Sequence, residues 1–500
     1  MKRTFSSSTP NLEPGLRWQT WLILLLAAAL SVGGYLVVSA VTYRVGFPLD
    51  DSWIFQTYAR NLAMRGEWAF LPGQPSGGST APVWSALLSL GFRIHLAPYA
   101  WTYIVGGLLL ALLAVETEYA MRQQVEQYRG VIPWAGLLMI FEWHMAWSAV
   151  SGMETLLHSL LVLTVIVSLL RKPVPWAFLG ILVGLSVWVR PDGLTLLGPV
   201  FFAAVFGEKS WGKRGRAVVS ALVGFGALFL VYILFNLLLA GTALPTTFYA
   251  KQAEYISWQQ TPFVTRIVNV SLRFLAGTAM MLLPGFVIST VDAVRRKEWG
   301  RVAGVLWVLG YLGLYLLRLP AYQHGRYIMP AMPVFIFIGL MGFYRAFRMP
   351  VQNRVLRLVR LAWQIAIGMF CIAFWLVGAQ YYGQDVRFIE SEMVDTAVWV
   401  EKNTPPDALI AAHDIGALGY FGKRELVDLA GLISPDVVPL FNDDDHLSAY
   451  IAAQGVQYLI AFPGWKPALT NRGTQIYITQ SNYISRSELG NMAVYRWDKP

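Results

Sequence analysis

From Trp18 to Tyr43 the chain runs without a single charged residue. As a helix, a run of that length crosses the roughly 30 Å hydrocarbon core of a bilayer. It is too long for a removable signal peptide and lacks a small-residue cleavage site, so it reads as a first transmembrane helix that stays. Similar apolar runs recur along the chain. Only 14% of its 500 residues are charged, against 56% hydrophobic. A soluble domain carries about 25% charged residues, so the composition specifies a polytopic α-helical membrane protein.

The formal net charge is +10. Basic clusters at Lys2-Arg3, Arg171-Lys172, Lys213-Arg214-Arg216, Arg295-Arg296-Lys297 and from Arg345 to Arg360 fall between apolar runs, at alternate loops. That is the positive-inside pattern, so the basicity is a topology signal. No basic cluster with interleaved aromatics remains elsewhere, which excludes a nucleic-acid partner. About eleven spans fit, near 18–42, 99–121, 131–150, 154–170, 175–190, 194–207, 217–240, 267–291, 301–318, 327–345 and 361–382. With the N-terminus in the cytoplasm, this odd number places the C-terminus outside. The expected organisation is a transmembrane domain over 1–382, with a first external loop at 44–98, and an extracytoplasmic α/β domain over 383–500. In the latter, 389–404 reads as an amphipathic helix, and 408–412, 426–430 and 456–462 read as strands. The single cysteine, Cys371, permits no internal disulfide.

The first external loop contains 47-FPLDDSWIFQTYARNLAMRG-66. Ile54, Tyr58 and Leu62 share one helical face, and Ser52, Gln56 and Arg60 another, as expected of a helix lying in the membrane interface. A second surface helix is expected over 80–96, after the turn-rich 71-LPGQPSGGST-80. Two readings of Asp50 and Asp51 stand side by side. Asp51 or Ser52 caps the helix, or a carboxylate takes the proton of an acceptor hydroxyl as general base. Adjacent carboxylates also suit a divalent cation such as Mg or Mn.

Other polar residues gather on the same side. The loop 318-RLPAYQHGRYIMP-330 carries Arg318, His324 and Arg326, with Tyr322 and Tyr327 beside them. Snorkelling cations in an aromatic belt is one account. These cations run against the positive-inside bias, and an anionic headgroup or phosphate accounts for that. Lys251, in 241-GTALPTTFYAKQAEY-255, is a solvated lysine or a phosphate ligand. Glu154, in 151-SGMET-155, caps the next span or meets a sugar hydroxyl. Arg190 and Asp192 neutralise each other, or Arg190 projects into a cavity. Glu142 and His158 are expected to meet as a buried pair. The loop pair His413-Asp414 follows an expected strand. There is no Walker loop, G-x-S-x-G, H-E-x-x-H or Cys/His metal pattern.

The motifs LDDSWIFQTYARNL (49–62), GGSTAPVW (77–84), SGMET (151–155), RPDG (190–193), LPTTFYAK (244–251) and HGRYIMPAMP (324–333) resemble the GT-C class of membrane glycosyltransferases. Protein O-mannosyltransferases, aminoarabinose transferases and arabinofuranosyltransferases are members. The resemblance implies a polyprenyl-phosphate-linked sugar donor and an extracytoplasmic acceptor. It makes an acidic residue of the first external loop, Asp50 or Asp51, the catalytic base. It gives the lipid-linked phosphate to Lys251, His324 and Arg326. Two other classes compete: a transporter or lipid flippase, hinted at by Glu142, His144, His158, Arg273 and Asn236, and a receptor or assembly factor working through residues 383–500.

Overall fold

A computed structural model describes residues 16–126, 128, 130–348, 352–441, 443–481 and 489–497. The Lys2-Arg3 cluster and part of the 345–360 basic loop lie outside the described residues. The membrane part comprises α1 (Trp18–Thr42), α2 (Asp51–Arg65), a hairpin of β1 (Ala69–Leu71) and β2 (Gln74–Pro75), α3 (Pro82–Arg93) and α4 (Pro98–Gln124). It continues with α5 (Trp134–Phe141), α6 (Trp143–Val150), α7 (Thr155–Ser168), α8 (Trp176–Val189), α9 (Leu197–Gly207), α10 (Trp211–Ala240) and α11 (Thr246–Glu254). It closes with α12 (Phe263–Leu275), α13 (Thr278–Arg296), α14 (Trp299–Arg318), α15 (Met332–Arg348) and α16 (Arg354–Phe388).

The chain is a multi-pass membrane protein. Among the described residues, seven helices are long and apolar enough to cross a membrane, with three shorter apolar helices at 155–168, 176–189 and 191–207. Their outer faces are apolar: Val223 and Leu238 of α10 are 68% and 78% exposed, as a lipid-facing surface requires. Inside, small residues bring backbones together. Gly180 of α8 abuts the Ala221 carbonyl of α10, and Gly224 of α10 abuts the Ala177 carbonyl of α8.

Two expected spans are interrupted. The run 131–150 is broken at Glu142, whose carboxylate accepts the Met145 amide (3.1 Å) and pairs with His144 Nδ1 (2.7 Å). A buried carboxylate needs donors, and the freed amides of a helix start supply one. The expected Glu142–His158 pair does not form. His158 instead meets Ser186 (3.0 Å) and Asp192 (3.8 Å). The run 267–291 is broken before α13 at Gly277, whose φ of +93° with ψ of −137° only glycine adopts readily.

The helix α2 does not lie with a wetted polar face. Ser52 and Gln56 are buried, bonding the Ser151 carbonyl (2.7 Å) and Thr102 (2.8 Å). The C-terminal part covers α2, with Tyr420 and Phe421 packed on Trp53 at 4.7 and 4.6 Å between ring centroids. Neither aspartate caps this helix. Asp50, the residue before its first turn, is itself helical (φ −64°, ψ −36°) and makes no side-chain cap bond.

Beyond Phe388 a π-helical turn, Ile389–Val394, leads without a break into α17 (Asp395–Asn403), so residue 382 falls inside a continuous helix. Then follow β3 (Leu409–Ala412), β4 (Glu425–Asp428), α18 (Asp444–Ala453), β5 (Tyr458–Ala461), β6 (Gly473–Ile478) and β7 (Ala493–Trp497). The sheet order is β4-β3-β5-β7-β6, parallel across β4-β3-β5 and antiparallel beyond. Side chains alternate between two cores. Ala411, Val427 and Leu459 pack with Leu447 and Ile451 of α18, whereas Ile410, Ala412, Leu426 and Ile460 join the core of the membrane part. The sheet is fused to the helices through that second face.

Candidate active site

The linker after α1 sets the site. Tyr103 and Tyr382 both donate to the Gly46 carbonyl (2.7 and 2.9 Å), and Arg44 pairs with Glu390 (2.8 Å). These contacts fix residues 44–50 against α4 and α16, and α2 then starts with Asp51 facing a cavity of about 650 Å³. Three carboxylates (Asp51, Glu154, Asp192) and four cations (Arg190, Lys251, Arg318, Arg326) line it, so its charged lining carries one excess positive charge.

At its centre Arg326 donates to Asp51 (2.6 Å) and to the Tyr327 hydroxyl (2.9 Å). Lys251 donates to the same hydroxyl (2.9 Å) and lies 3.6 Å from Asp51. Burial alone would raise the Asp51 pKa, but Lys251 and Arg326 hold it well below the usual carboxylate range. Burial likewise opposes the charged Lys251, and Tyr327 and Asp51 override it, so its pKa is raised. The Nε and Nη1 of Arg326 are buried with no partner among the described residues, so donors remain for an anion.

A second set adjoins the first. Arg190 holds Asp192 through two bonds (3.0 and 3.1 Å) and reaches Glu154 (3.2 Å) and Tyr315 (3.2 Å). Both sequence readings of Arg190 therefore apply, since it is neutralised by Asp192 and also lines the cavity. Glu154 makes no cap bond, and its Oε2 is buried without a partner among the described residues. Tyr311 and Tyr315 donate to Asp192 (2.6 and 2.5 Å).

Of the sequence candidates, Asp51, Glu154, Arg190, Lys251, Arg326 and Tyr327 meet in this cavity. Two do not line it. His324 pairs with Asp385 (2.8 Å), its ring 5.7 Å from Trp147 and 5.1 Å from Tyr381. Asp50 turns the other way. Its carboxylate oxygens accept the Gly416 and Ala417 amides, each at 2.7 Å. Burial first, and the charge of Asp414 second, push its pKa up to about 7 against the pull of those two amides. The aspartate pair does not fit a divalent cation, because the Asp50 oxygens are taken by amides and Asp51 faces two cations. Among the described residues no group of three or more His, Cys, Asp or Glu is placed to hold a metal.

Contributors that the sequence hid come from far along the chain. Leu432 lines the cavity, and its carbonyl accepts the Thr246 hydroxyl at the start of α11. Thr247, next to it, bonds the Gly78 carbonyl (2.8 Å). The visible signal for the C-terminal part was 413-HDIGALGYFG-422, a glycine-punctuated stretch after a strand.

A family model described as "Domain of unknown function (DUF8728)" matches residues 379–497. No curated protein matches the chain. Among solved structures, ArnT from Cupriavidus metallidurans bound to undecaprenyl phosphate aligns over 95% of this chain and 97% of that one, at 12% identity and a TM-score of 0.56. The apo oligosaccharyltransferase of Archaeoglobus fulgidus aligns over 96% of this chain and 75% of that one, at 12% identity and a TM-score of 0.59. The arabinofuranosyltransferase AftD from Mycobacteria aligns over 97% of this chain but 40% of that one, at 15% identity and a TM-score of 0.50. The helix bundle, the cavity beside the first loop and these three likenesses agree: the chain has the fold of the GT-C class of membrane glycosyltransferases.

Proposed function

We propose that this protein transfers a sugar from a polyprenyl-phosphate-linked donor to a hydroxyl of a cell-envelope glycan, lipid or protein. The site faces the extracytoplasmic side of the cell membrane, with the N-terminus inside and the C-terminal sheet outside. The observation that carries this reading is the convergence of Asp51, Lys251 and Arg326 on one cavity. ArnT with undecaprenyl phosphate, and archaeal AglB with dolichol-phosphate and an inhibitory peptide, share the fold and support a lipid-phosphate partner.

The donor's prenyl chain stays in the bilayer, so its phosphate meets the protein at the interface. Arg326 and Lys251 bind that phosphate, with Tyr327 between them and Arg190 adding to the field. As the phosphate takes these cations, Asp51 loses the charges that hold it acidic, and its basicity rises. The acceptor oxygen then bonds to the anomeric carbon while the bond from that carbon to the phosphate oxygen breaks. The bonding pair leaves with the phosphate, and the hydroxyl proton passes to Asp51. Donor binding thereby activates the base. Glu154, whose Oε2 has no partner among the described residues, suits a sugar hydroxyl.

The test is release of polyprenyl phosphate by the purified protein in lipid nanodiscs, with a lipid-linked sugar and an envelope extract as acceptor. Wild type releases it and Asp51→Asn does not. Full activity in Asp51→Asn would overturn the assignment of the base. Movement of the intact donor across proteoliposomes without release would overturn transfer itself in favour of transport.

A further inference from the structure

The C-terminal sheet meets the membrane part through two loops, the second of which brings Leu432 to the cavity, and each is held by one buried aspartate accepting backbone amides. Asp50 accepts Gly416 and Ala417, both at 2.7 Å. Asp428 accepts Ala430 (2.8 Å), Leu432 (2.5 Å) and Ile433 (2.8 Å). Gly416 lies so close to the Asp50 backbone carbonyl that a Cβ there would clash, which commits this contact to glycine. The same loop continues into Tyr420, whose carbonyl accepts Arg60 of α2 (2.8 Å). The second loop presents the Leu432 carbonyl to Thr246, five residues before Lys251 on α11.

We infer that Asp50 and Asp428 are positioning residues that fasten loops 414–422 and 430–433 of the C-terminal sheet to the two elements carrying Asp51 and Lys251. Asp50 locks the first loop onto the start of α2 and so fixes Asp51. Asp428 locks the second loop onto α11 and so fixes Lys251. A carboxyl group suits this work, because its two oxygens accept two or three backbone amides at once. The roles rest on the transferase reading, whereas the clamps themselves do not.

Two readouts separate those parts. Hydrogen–deuterium exchange on the full chain in nanodiscs needs no donor. In Asp50→Ala the amides of 416–417 exchange roughly tenfold faster or more, with 430–433 unchanged, and in Asp428→Asn the pattern reverses. Asp50→Asn keeps one acceptor oxygen and gives an intermediate rate, which decides the matter where the alanine variant does not fold. Unchanged exchange at 416–417 in both Asp50 variants overturns the clamp. Kinetics then test the roles. Asp50→Asn lowers kcat about tenfold with donor KM within about twofold, whereas Asp428→Asn raises donor KM. A uniform loss of active protein, without that split, would make both residues merely structural. A wild type that never releases polyprenyl phosphate defeats the transferase reading, while the exchange data still judge the clamps.

Discussion

Asp50 and Asp51 are neighbours in sequence with opposite surroundings. Asp51 opens onto a cavity and faces two cations, which keep it ionised. Asp50 is buried against the C-terminal sheet, where amides take both oxygens and Asp414 adds a repelling charge. The same side chain becomes a reactive group in one place and a structural fastener in the other. What separates them is the single step around the helix that sends one toward α11 and the other toward residue 416.

The largest expected effect tests the cavity side. Asp51→Asn keeps the size of the side chain and removes the base, so kcat falls about 10²- to 10⁴-fold. Steady-state assays of polyprenyl phosphate release measure it, and a fall comparable to that of Asp50→Asn would erase the contrast. Next comes Arg326, the partner that keeps Asp51 acidic. Arg326→Ala weakens binding of undecaprenyl phosphate by roughly 10- to 100-fold, the worth of lost bonds from a charged group. Arg326→Lys restores only part of this, since a point charge lacks the planar fork. Titration of the lipid by isothermal calorimetry in detergent distinguishes the variants, and unchanged affinity in Arg326→Ala would remove this residue from the phosphate site.

Much of the cavity was legible because its residues break a local rule. Arg190, Lys251 and Arg326 sit in or beside apolar runs where cations are costly, and each had to be explained. The polytopic helical class followed from the apolar runs, and the likeness to the GT-C class from the short motifs between them. The interruptions at Glu142 and Gly277 were not legible, since hydropathy averages over the one residue that ends a helix. Nor was the burial of α2, whose polar face looked wet because its partners lie elsewhere in the chain: Thr102 for Gln56, Ser151 for Ser52, and the Tyr420 carbonyl, 360 residues away, for Arg60. Leu432 carries no chemical signal at all; it lines the cavity from a loop whose amides Asp428 accepts.

A smaller effect probes the buried side through pH. The folded Asp50 value of about 7 exceeds the ~3.9 of an unfolded chain, so the native state holds this proton more tightly. Its contribution is therefore largest at low pH and is lost as pH rises from ~4 to about 7. Asp428, pushed up to about 6 chiefly by burial, acts in the same direction. His413 is raised to about 9, because Asp414 and Glu254 outweigh its burial. It gives stability that is full below ~6.5 and fades as pH climbs through 9. Thermal unfolding in detergent should thus show stability falling between pH 4 and 7, and falling less steeply in Asp50→Asn, by at most about one proton or ~1.4 kcal/mol per pH unit. An identical slope in the variant would place the Asp50 proton elsewhere.

The smallest expected effect carries the contrast to a second pair, His324 and Arg326, two residues apart in one turn. The family resemblance gives both to the phosphate, but their surroundings differ as those of the two aspartates do. Arg326 reaches the cavity with donors to spare. His324 faces Asp385, which also accepts Trp147 Nε1 (3.1 Å), and its ring lies between Trp147 and Tyr381. A histidine engaged there has no free path to a phosphate held by Arg326 and Lys251. Its backbone is left-handed, with φ of +59°, so its local task is to shape the turn that delivers Arg326. His324→Asn keeps a residue type tolerant of that conformation and a donor for Asp385. Affinity for undecaprenyl phosphate in this variant should stay within about twofold of wild type, against the 10- to 100-fold loss in Arg326→Ala. A loss in His324→Asn as large as that in Arg326→Ala would put His324 on the phosphate and leave the turn without its division of labour.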